Sequence, residues 1–114
     1  MLPGSGVYGI IESSVVPVEA FSDVADALAA GGCQFIQLRM KGAGDAVRLA
    51  AQRRVAETLG RRNESTWLVI NDRPDLARIL AGELAGNVKP ACHLGQDDMQ
   101  VHEARKILGP DVVI

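Results

Sequence analysis

The chain has 114 residues, of which 47% are hydrophobic and 23% charged, and its formal net charge is −2. This composition is typical of one soluble globular domain, and the charge argues against a general binder of nucleic acid or membrane surfaces. No apolar run approaches the ~18 residues of a spanning helix, and "MLPGSGVYG" at the start lacks the basic and apolar pattern of a signal peptide, so we expect a cytoplasmic protein. Cys33 and Cys92 form no metal-binding spacing and are expected as reduced core residues.

Strand-like and helix-like segments alternate along the chain. Short runs rich in β-branched and aromatic residues predict strands, whereas longer runs with apolar residues three or four positions apart predict helices. The predicted strands are 6–12, 33–40, 66–70 and 91–95, and "DVVI" at 111–114 predicts the start of a fifth. The predicted helices are a segment around 21–29 that Gly31 and Gly32 end, and then 45–60, 74–84 and 99–109.

The two central helices carry start and stop signals. Asp45 is predicted as the N-cap of the second helix and Gly60 as its stop. Pro74 lies in the first turn of the third helix, where the missing N–H costs little. The predicted buried stripe of the second helix consists of Val47, Ala51, Val55 and Leu59.

This alternation predicts βαβ units and a parallel sheet, hence an α/β fold. The pattern alone does not separate a doubly wound sheet from a barrel. The chain stops inside a strand pattern, where nothing follows to cover the last strand. We therefore interpret residues 1–114 as one incomplete domain.

Functional side chains cluster where the predicted strands end. Strand two ends in "QLRMKGAG", strand three in "NDRPD" and strand four in "HLGQDD". Ligands of parallel α/β folds bind at the carboxyl ends of the strands, so three successive strands deliver polar groups to the expected edge.

The second strand predicts one apolar and one polar face. Because side chains alternate along a strand, Phe35, Gln37, Arg39 and Lys41 share one face, and Ile36, Leu38 and Met40 share the other. Helices are expected over the apolar face, which leaves the polar face toward a barrel interior or a crevice. Arg and Lys together suit phosphate. The alternative is an edge strand with a solvated face.

Acidic residues follow the next two strands. Asp72, and Asp97 with Asp98, could hold Mg²⁺, which proteins bind through one or two carboxylates plus substrate phosphates. The alternative makes these residues helix N-caps or first-turn charges. His93 could serve as a general base or line a ligand pocket, or it could be a satisfied core residue.

The motifs "QLRMKG", "INDRPDLA" and "HLGQDDM", followed by "ARKILGPDVVI", resemble the thiamine phosphate synthase family over nearly the whole chain. The resemblance implies a (β/α)₈ TIM barrel, of which residues 1–114 would form the N-terminal half, from the first strand to the start of the fifth. It also implies an enzyme of thiamine biosynthesis, a transferase that joins hydroxymethylpyrimidine diphosphate to thiazole phosphate and releases pyrophosphate.

The resemblance also implies a role for each matching residue. Asp72 and Asp98 would ligate Mg²⁺, and Gln37 would address the polar edge of the pyrimidine. Arg39, Lys41 and Asn71 would hold the diphosphate and stabilise it as it departs, leaving a pyrimidine-stabilised carbocation that the thiazole nitrogen captures. The residues that would line the pyrimidine pocket are His93 and Gly95.

Two departures from the family pattern bear on these expectations. The segment 78–92 is several residues longer than usual and predicts a bulged loop at the far end of the sheet, with Lys89 and Pro90 just before the strand. The motifs for the thiazole phosphate would lie beyond Ile114, so we expect no turnover by these 114 residues alone. A thiazole tautomerase-like barrel remains an alternative, although tautomerases typically lack the acidic pair after "HLG". A second alternative is a non-catalytic half-barrel that a partner chain or a second copy completes.

Overall fold

The structure is a computed structural model that describes residues 7–84, 86–94, 101–109 and 112–114. Its strands, all parallel, lie in the sequential order β1-β2-β3-β4. The strands are Val7–Glu12 (β1), Cys33–Arg39 (β2), Thr66–Asn71 (β3) and Val88–His93 (β4). The helices are Phe21–Ala30 (α1), Asp45–Gly60 (α2), Pro74–Ala81 (α3) and Val101–Leu108 (α4), with a 3₁₀ turn at Val18–Ala20 before α1.

The predicted α/β fold with a parallel sheet is confirmed. Each described helix packs on the same face of the sheet, where the alternate apolar residues of the strands form one core. Leu38 and Ile70 of the central strands contribute to this core, as do Val55 of α2 and Leu80 of α3, all with 1% exposure or less. Sequential strand order with one covered face is the winding found in barrels, whereas doubly wound sheets reverse their order.

The opposite face of the sheet carries an aromatic row at the amino ends of its strands. Tyr8, Phe35, Trp67 and Lys89 are register partners across β1 to β4. Ring centroids lie 6.1 Å apart between Tyr8 and Phe35 and 6.2 Å apart between Phe35 and Trp67. Lys89 Nζ lies 5.5 Å from the centroid of Trp67, within cation–π range. We call this surface the open face, because Tyr8 is 42% exposed and Ile10 46%.

The predicted division of β2 between two faces is confirmed. Ile36, Leu38 and Met40 are buried in the core under the helices. Phe35 belongs to a separate small cluster on the open face with Val69 and Ala91. The alternative of a solvated edge strand is wrong, because β2 lies between β1 and β3.

The structure corrects details of two elements. β4 begins at Val88 and not at 91, so Lys89 and Pro90 pair with β3 within the strand. The N-cap of α2 is Gly44, and Asp45 opens the helix as its first residue. Val47 is 50% exposed and does not belong to the buried stripe, in which the amide of Gln52 is buried instead. Cys33 and Cys92 are buried, as predicted.

The fifth predicted strand is represented by a single bridge. Val113 lies parallel to Ala91, and its carbonyl accepts a 2.7 Å hydrogen bond from the backbone N–H of Cys92. The next extended segment along the chain therefore lies beside β4, which continues the sequential order of the sheet. Among the described residues, no helix is both long and apolar enough to cross a membrane.

Candidate active site

The carboxyl ends of β2, β3 and β4 enclose a cleft of about 320 Å³ together with α2 and α3. Parallel strands direct their carboxyl ends to one edge, so residues distant in sequence meet there. The cleft brings together five residues predicted for the site, namely Arg39, Lys41, Asn71, Asp72 and His93. The remaining lining residues are Leu38, Met40, Arg48, Gln52 and Leu76.

Gln37 lies beside the cleft on the open face and is only 1% exposed. Its Oε1 accepts a 2.6 Å hydrogen bond from the phenol of Tyr8, and its Nε2 donates a 2.7 Å bond to Oδ1 of Asn71. Both ends of the amide are therefore satisfied, as burial requires. Burial raises the pKa of the Tyr8 phenol, and the charge of Arg39 partly offsets the rise, so the hydroxyl remains a donor at neutral pH.

Arg39 is held on one side by β1. Its Nη1 lies 3.1 Å from Oε1 of Glu12, and about a third of each side chain is exposed. Lys41 is exposed, and no described residue accepts a hydrogen bond from its Nζ. Both cations also border a second depression between the ends of β1 and β2. The rim of the sheet thus presents one positive charge held by an ion pair and one exposed positive charge, a pairing that suits a phosphate group.

Asp72 occupies a tight turn directly after β3. Its φ of 60° lies in the left-handed region, which Asp tolerates better than most residues. Its backbone N–H donates a 2.8 Å hydrogen bond to the carbonyl of His93, which ties the turn to β4. The N-cap of α3 is Arg73, so the alternative role of Asp72 as N-cap is wrong. Its exposed side chain instead lines the cleft.

Arg73 clamps the loops that follow β2 and β3. Its guanidinium donates to both carboxylate oxygens of Asp45 at 2.6 and 3.1 Å, and to both oxygens of Asp75 at 3.0 and 2.8 Å. These bonds lower the pKa of both carboxyls and raise that of Arg73. The residue next to Asp72 is therefore anchored to the first turn of α2 and the first turn of α3.

His93 stands between the cleft and an apolar hollow on the open face. The hollow has a volume of about 280 Å³, and its wall includes Tyr8, Val69 and Leu94. His93 is exposed at the end of β4, so its interpretation as a buried core histidine is wrong. The histidine is placed to contact a ligand that reaches from the charged cleft into the hollow.

Not every predicted site residue can be placed. Gly95, Asp97 and Asp98 lie outside the described residues, so the second predicted magnesium ligand stays a prediction. Within the described residues no group of three potential metal ligands occurs. Among the described lining residues, the Asp72 carboxylate is the one acidic group that the cleft offers to a metal ion.

Sequence reasoning missed several residues of this region. Tyr8 and Glu12 lie on the open face of β1, and only the pairing of β1 with β2 shows that they reach Gln37 and Arg39. The sequence offered one signal: side chains alternate along β1, so Tyr8 and Glu12 fall on the face opposite to the buried Ile11. Arg48 and Gln52 had no such signal, because charged and amide residues on helices are usually solvated. Arg73 lies in the strand-end cluster "NDRPD", but its pairing with Asp45 of α2 is a tertiary contact that the cluster does not indicate.

The thiamine monophosphate synthase family model matches residues 7–114, which is nearly the whole chain. The chain belongs to this family. The family match agrees with the parallel α/β fold and with the cluster of functional groups at the carboxyl ends of the strands.

Curated relatives carry the same family name. A thiamine biosynthesis bifunctional protein ThiM/ThiE of Symbiobacterium thermophilum is 41% identical over 108 residues, which cover 95% of this chain and 20% of that protein. The thiamine-phosphate synthase of Arthrobacter sp. is 42% identical over 94 residues, covering 82% of this chain and 36% of the relative. That of Anaeromyxobacter dehalogenans is 45% identical, covering 80% and 37%. The chain thus spans well under half the length of these relatives.

Proposed function

We propose that the protein carrying this chain is a thiamine phosphate synthase, which condenses hydroxymethylpyrimidine diphosphate with thiazole phosphate to give thiamine phosphate and pyrophosphate. The observation that carries the proposal is the single cleft in which Arg39, Lys41, Asn71, Asp72 and His93 meet. Curated thiamine-phosphate synthases at 42% and 45% identity support the reaction class.

The (β/α)₈ barrel belongs to this proposal. Sequential strand order, helices on one face and the bridge from Ala91 to Val113 all fit the first half of a barrel whose interior is the open face. The 114 residues span 20–37% of these three relatives, so we assign the reaction to the whole protein and expect no turnover from residues 1–114 alone.

The substrate would lie across the cleft and the hollow. Arg39 and Lys41 would bind the diphosphate, and their positive charge would stabilise the negative charge that develops as the pyrophosphate leaves. Asn71, oriented by Gln37, would donate its Nδ2 hydrogens to a phosphate oxygen. The pyrimidine would occupy the apolar hollow between Tyr8 and His93, with the Gln37–Tyr8 pair at its polar edge.

Asp72, with Asp98, would hold Mg²⁺. When bound there, the ion neutralises charge on the diphosphate. The bond from the Asp72 N–H to β4 and the Arg73 clamp would keep the carboxylate at the cleft. No general base is required, because the attacking thiazole nitrogen carries a lone pair.

The test is calorimetric titration of the intact protein with hydroxymethylpyrimidine diphosphate, with and without Mg²⁺. Asp72→Asn and Asp98→Asn should each abolish the gain in affinity that Mg²⁺ provides, whereas Asp23→Asn, an exposed position on α1, should keep it. Equal Mg²⁺ dependence in all three variants would refute the metal assignment. Absence of synthase turnover in the intact protein would refute the reaction and favour a tautomerase-like or non-catalytic barrel.

A further inference from the structure

Two residues of α2, Arg48 and Gln52, line the cleft opposite the strand ends. They are four positions apart and therefore lie on the same face of the helix, one turn from each other. Neither belongs to the predicted diphosphate site, which the strands and their loops supply.

Arg48 brings a third cation to the cleft. Its Nε donates a 3.0 Å hydrogen bond to the carbonyl of Ala43, which fixes the plane of the guanidinium. Among the described residues no acceptor contacts its two Nη atoms. Asp45 lies nearby, but its carboxylate is bound to Arg73 at 2.6 Å, so Arg48 is left without a direct carboxylate partner in the described chain.

Gln52 is an amide where the helix pattern calls for an apolar residue. It lies within the buried face of α2 between Ala51 and Val55, and is 3% exposed. Its Oε1 is buried without a hydrogen-bond partner. Burying an unpaired amide costs folding free energy that a leucine or methionine would not cost. The unpaired Oε1 is an acceptor and cannot bind a phosphate oxygen, so the group of Gln52 that can contact an anion in the cleft is its Nε2 amide.

The donors of the cleft outnumber its acceptors. Arg39, Lys41 and Asn71 on the strand side and Arg48 on the helix side supply N–H donors, Gln52 supplies one donor group and one unpaired acceptor, and Asp72 is the one carboxylate among the lining residues described. Such an arrangement suits a polyanion with several acceptor oxygens.

We propose that Arg48 and Gln52 form a second wall of the anion site and bind a phosphate group of the diphosphate ester. The proposal rests on the proposed function, because it adds contacts to the same ligand. The diphosphate would lie between α2 and the strand ends, so side chains on both sides would contact it.

The test is calorimetric titration of the intact protein with inorganic pyrophosphate in the presence of Mg²⁺. Arg48→Met should weaken binding about ten- to a hundredfold, the effect of losing hydrogen bonds to a charged group. Arg54→Met is the matched control, since Arg54 is an exposed arginine of the same helix and its loss changes the net charge equally. It should change the affinity less than about twofold, because exposed distant charges are screened.

Gln52→Met separates a binding role from a structural one. Binding should weaken about fivefold, as expected for one lost hydrogen bond, while the melting temperature rises because an unpaired amide leaves the core. A lower melting temperature with unchanged pyrophosphate affinity would overturn the role of Gln52.

Arg39→Met distinguishes this inference from the proposed function. Weakened binding in Arg39→Met with wild-type affinity in both Arg48→Met and Gln52→Met would refute the second wall and leave the proposed function standing. Wild-type affinity in all three variants, or no binding of pyrophosphate by the unmodified protein, would refute both.

Discussion

The phenol of Tyr8 donates a 2.6 Å hydrogen bond to Oε1 of Gln37, and the other end of that amide donates to Asn71 at 2.7 Å. Three strands are therefore joined by one side-chain relay. The relay fixes which end of the Gln37 amide faces each neighbour. It also occupies the Oδ1 of Asn71, which leaves the Nδ2 hydrogens of Asn71 for a ligand.

Tyr8→Phe should destabilise the protein by about 1 kcal/mol, because the buried Oε1 of Gln37 loses its donor. Ring stacking on Phe35 remains possible in the variant, so packing is a minor part of the change. The measurement is chemical denaturation of both proteins. In a double-mutant cycle, the same substitution should cost less when Gln37 is already methionine. Additive free energies of unfolding would contradict the relay.

Asp72→Asn and Asp72→Ala should separate the charge of Asp72 from its backbone conformation. Asn tolerates the left-handed region, so Asp72→Asn should keep wild-type stability and lose Mg²⁺-dependent binding. Asp72→Ala should lose the same dependence and also about 1–2 kcal/mol of stability, because alanine is strained at this φ. Equal stability of the two variants, measured by denaturation, would show that the turn relaxes.

Arg73→Met should change how much folding stability the protein loses as the pH falls. Arg73 lowers the folded-state pKa of Asp45 and Asp75, so the unfolded state binds more protons in acid. The contribution of the clamp is complete well above the ordinary pKa of 3.8 and disappears as the pH falls below that value. The variant should be less stable at neutral pH and should lose less stability on acidification, as followed by thermal unfolding between about pH 7 and pH 3.

Arg54→Met is the control for the Arg73 prediction, since Arg54 is an exposed arginine for which no ion pair occurs among the described residues. Arg54→Met should lose as much stability on acidification as the wild type does. If Arg73→Met also loses as much as the wild type, the ion pairs of Arg73 with Asp45 and Asp75 do not persist in solution.

Gly86→Ala should be far more damaging than Gly42→Ala. Both glycines have positive φ, 73° and 78° respectively. A Cβ on Gly86 would lie 2.5 Å from the carbonyl oxygen of Gly60 at the end of α2, whereas a Cβ on Gly42 meets nothing within 4 Å. We expect a loss of about 3 kcal/mol or more at Gly86, against about 1–2 kcal/mol at Gly42 from backbone strain alone. Similar melting temperatures of the two variants would contradict the close packing at Gly60.

The sequence was sufficient to predict features that depend on periodicity. The alternation along β2 correctly places Leu38 in the core and Arg39 on the opposite face, and strand-end clustering correctly places Lys41 and Asp72 beside one cleft. These predictions succeed because parallel strands have a fixed side-chain period and a common direction.

Features that depend on tertiary partners could not be predicted in this way. Asp is a preferred residue type at helix N-caps, which is why Asp45 is predicted there. In the structure Gly44 is the N-cap, and Asp45 pairs with Arg73, which is distant in sequence. The strand predicted at 91–95 begins three residues later than the observed Val88–His93, and it leaves out Pro90, a residue type that is unfavourable within a strand. The buried Gln52 contradicts the local pattern, and such conflicts are expected where function competes with packing.

The strict alternation along β2 has a consequence for insertions and deletions. Leu38 and Met40 anchor the core while Arg39 between them faces the rim, so one added residue before Leu38 would exchange the two sets. The cations would then enter the apolar layer and the aliphatic side chains would face the ligand. Folding and ligand binding would be lost together, so length changes should be tolerated in the loops but not within this strand.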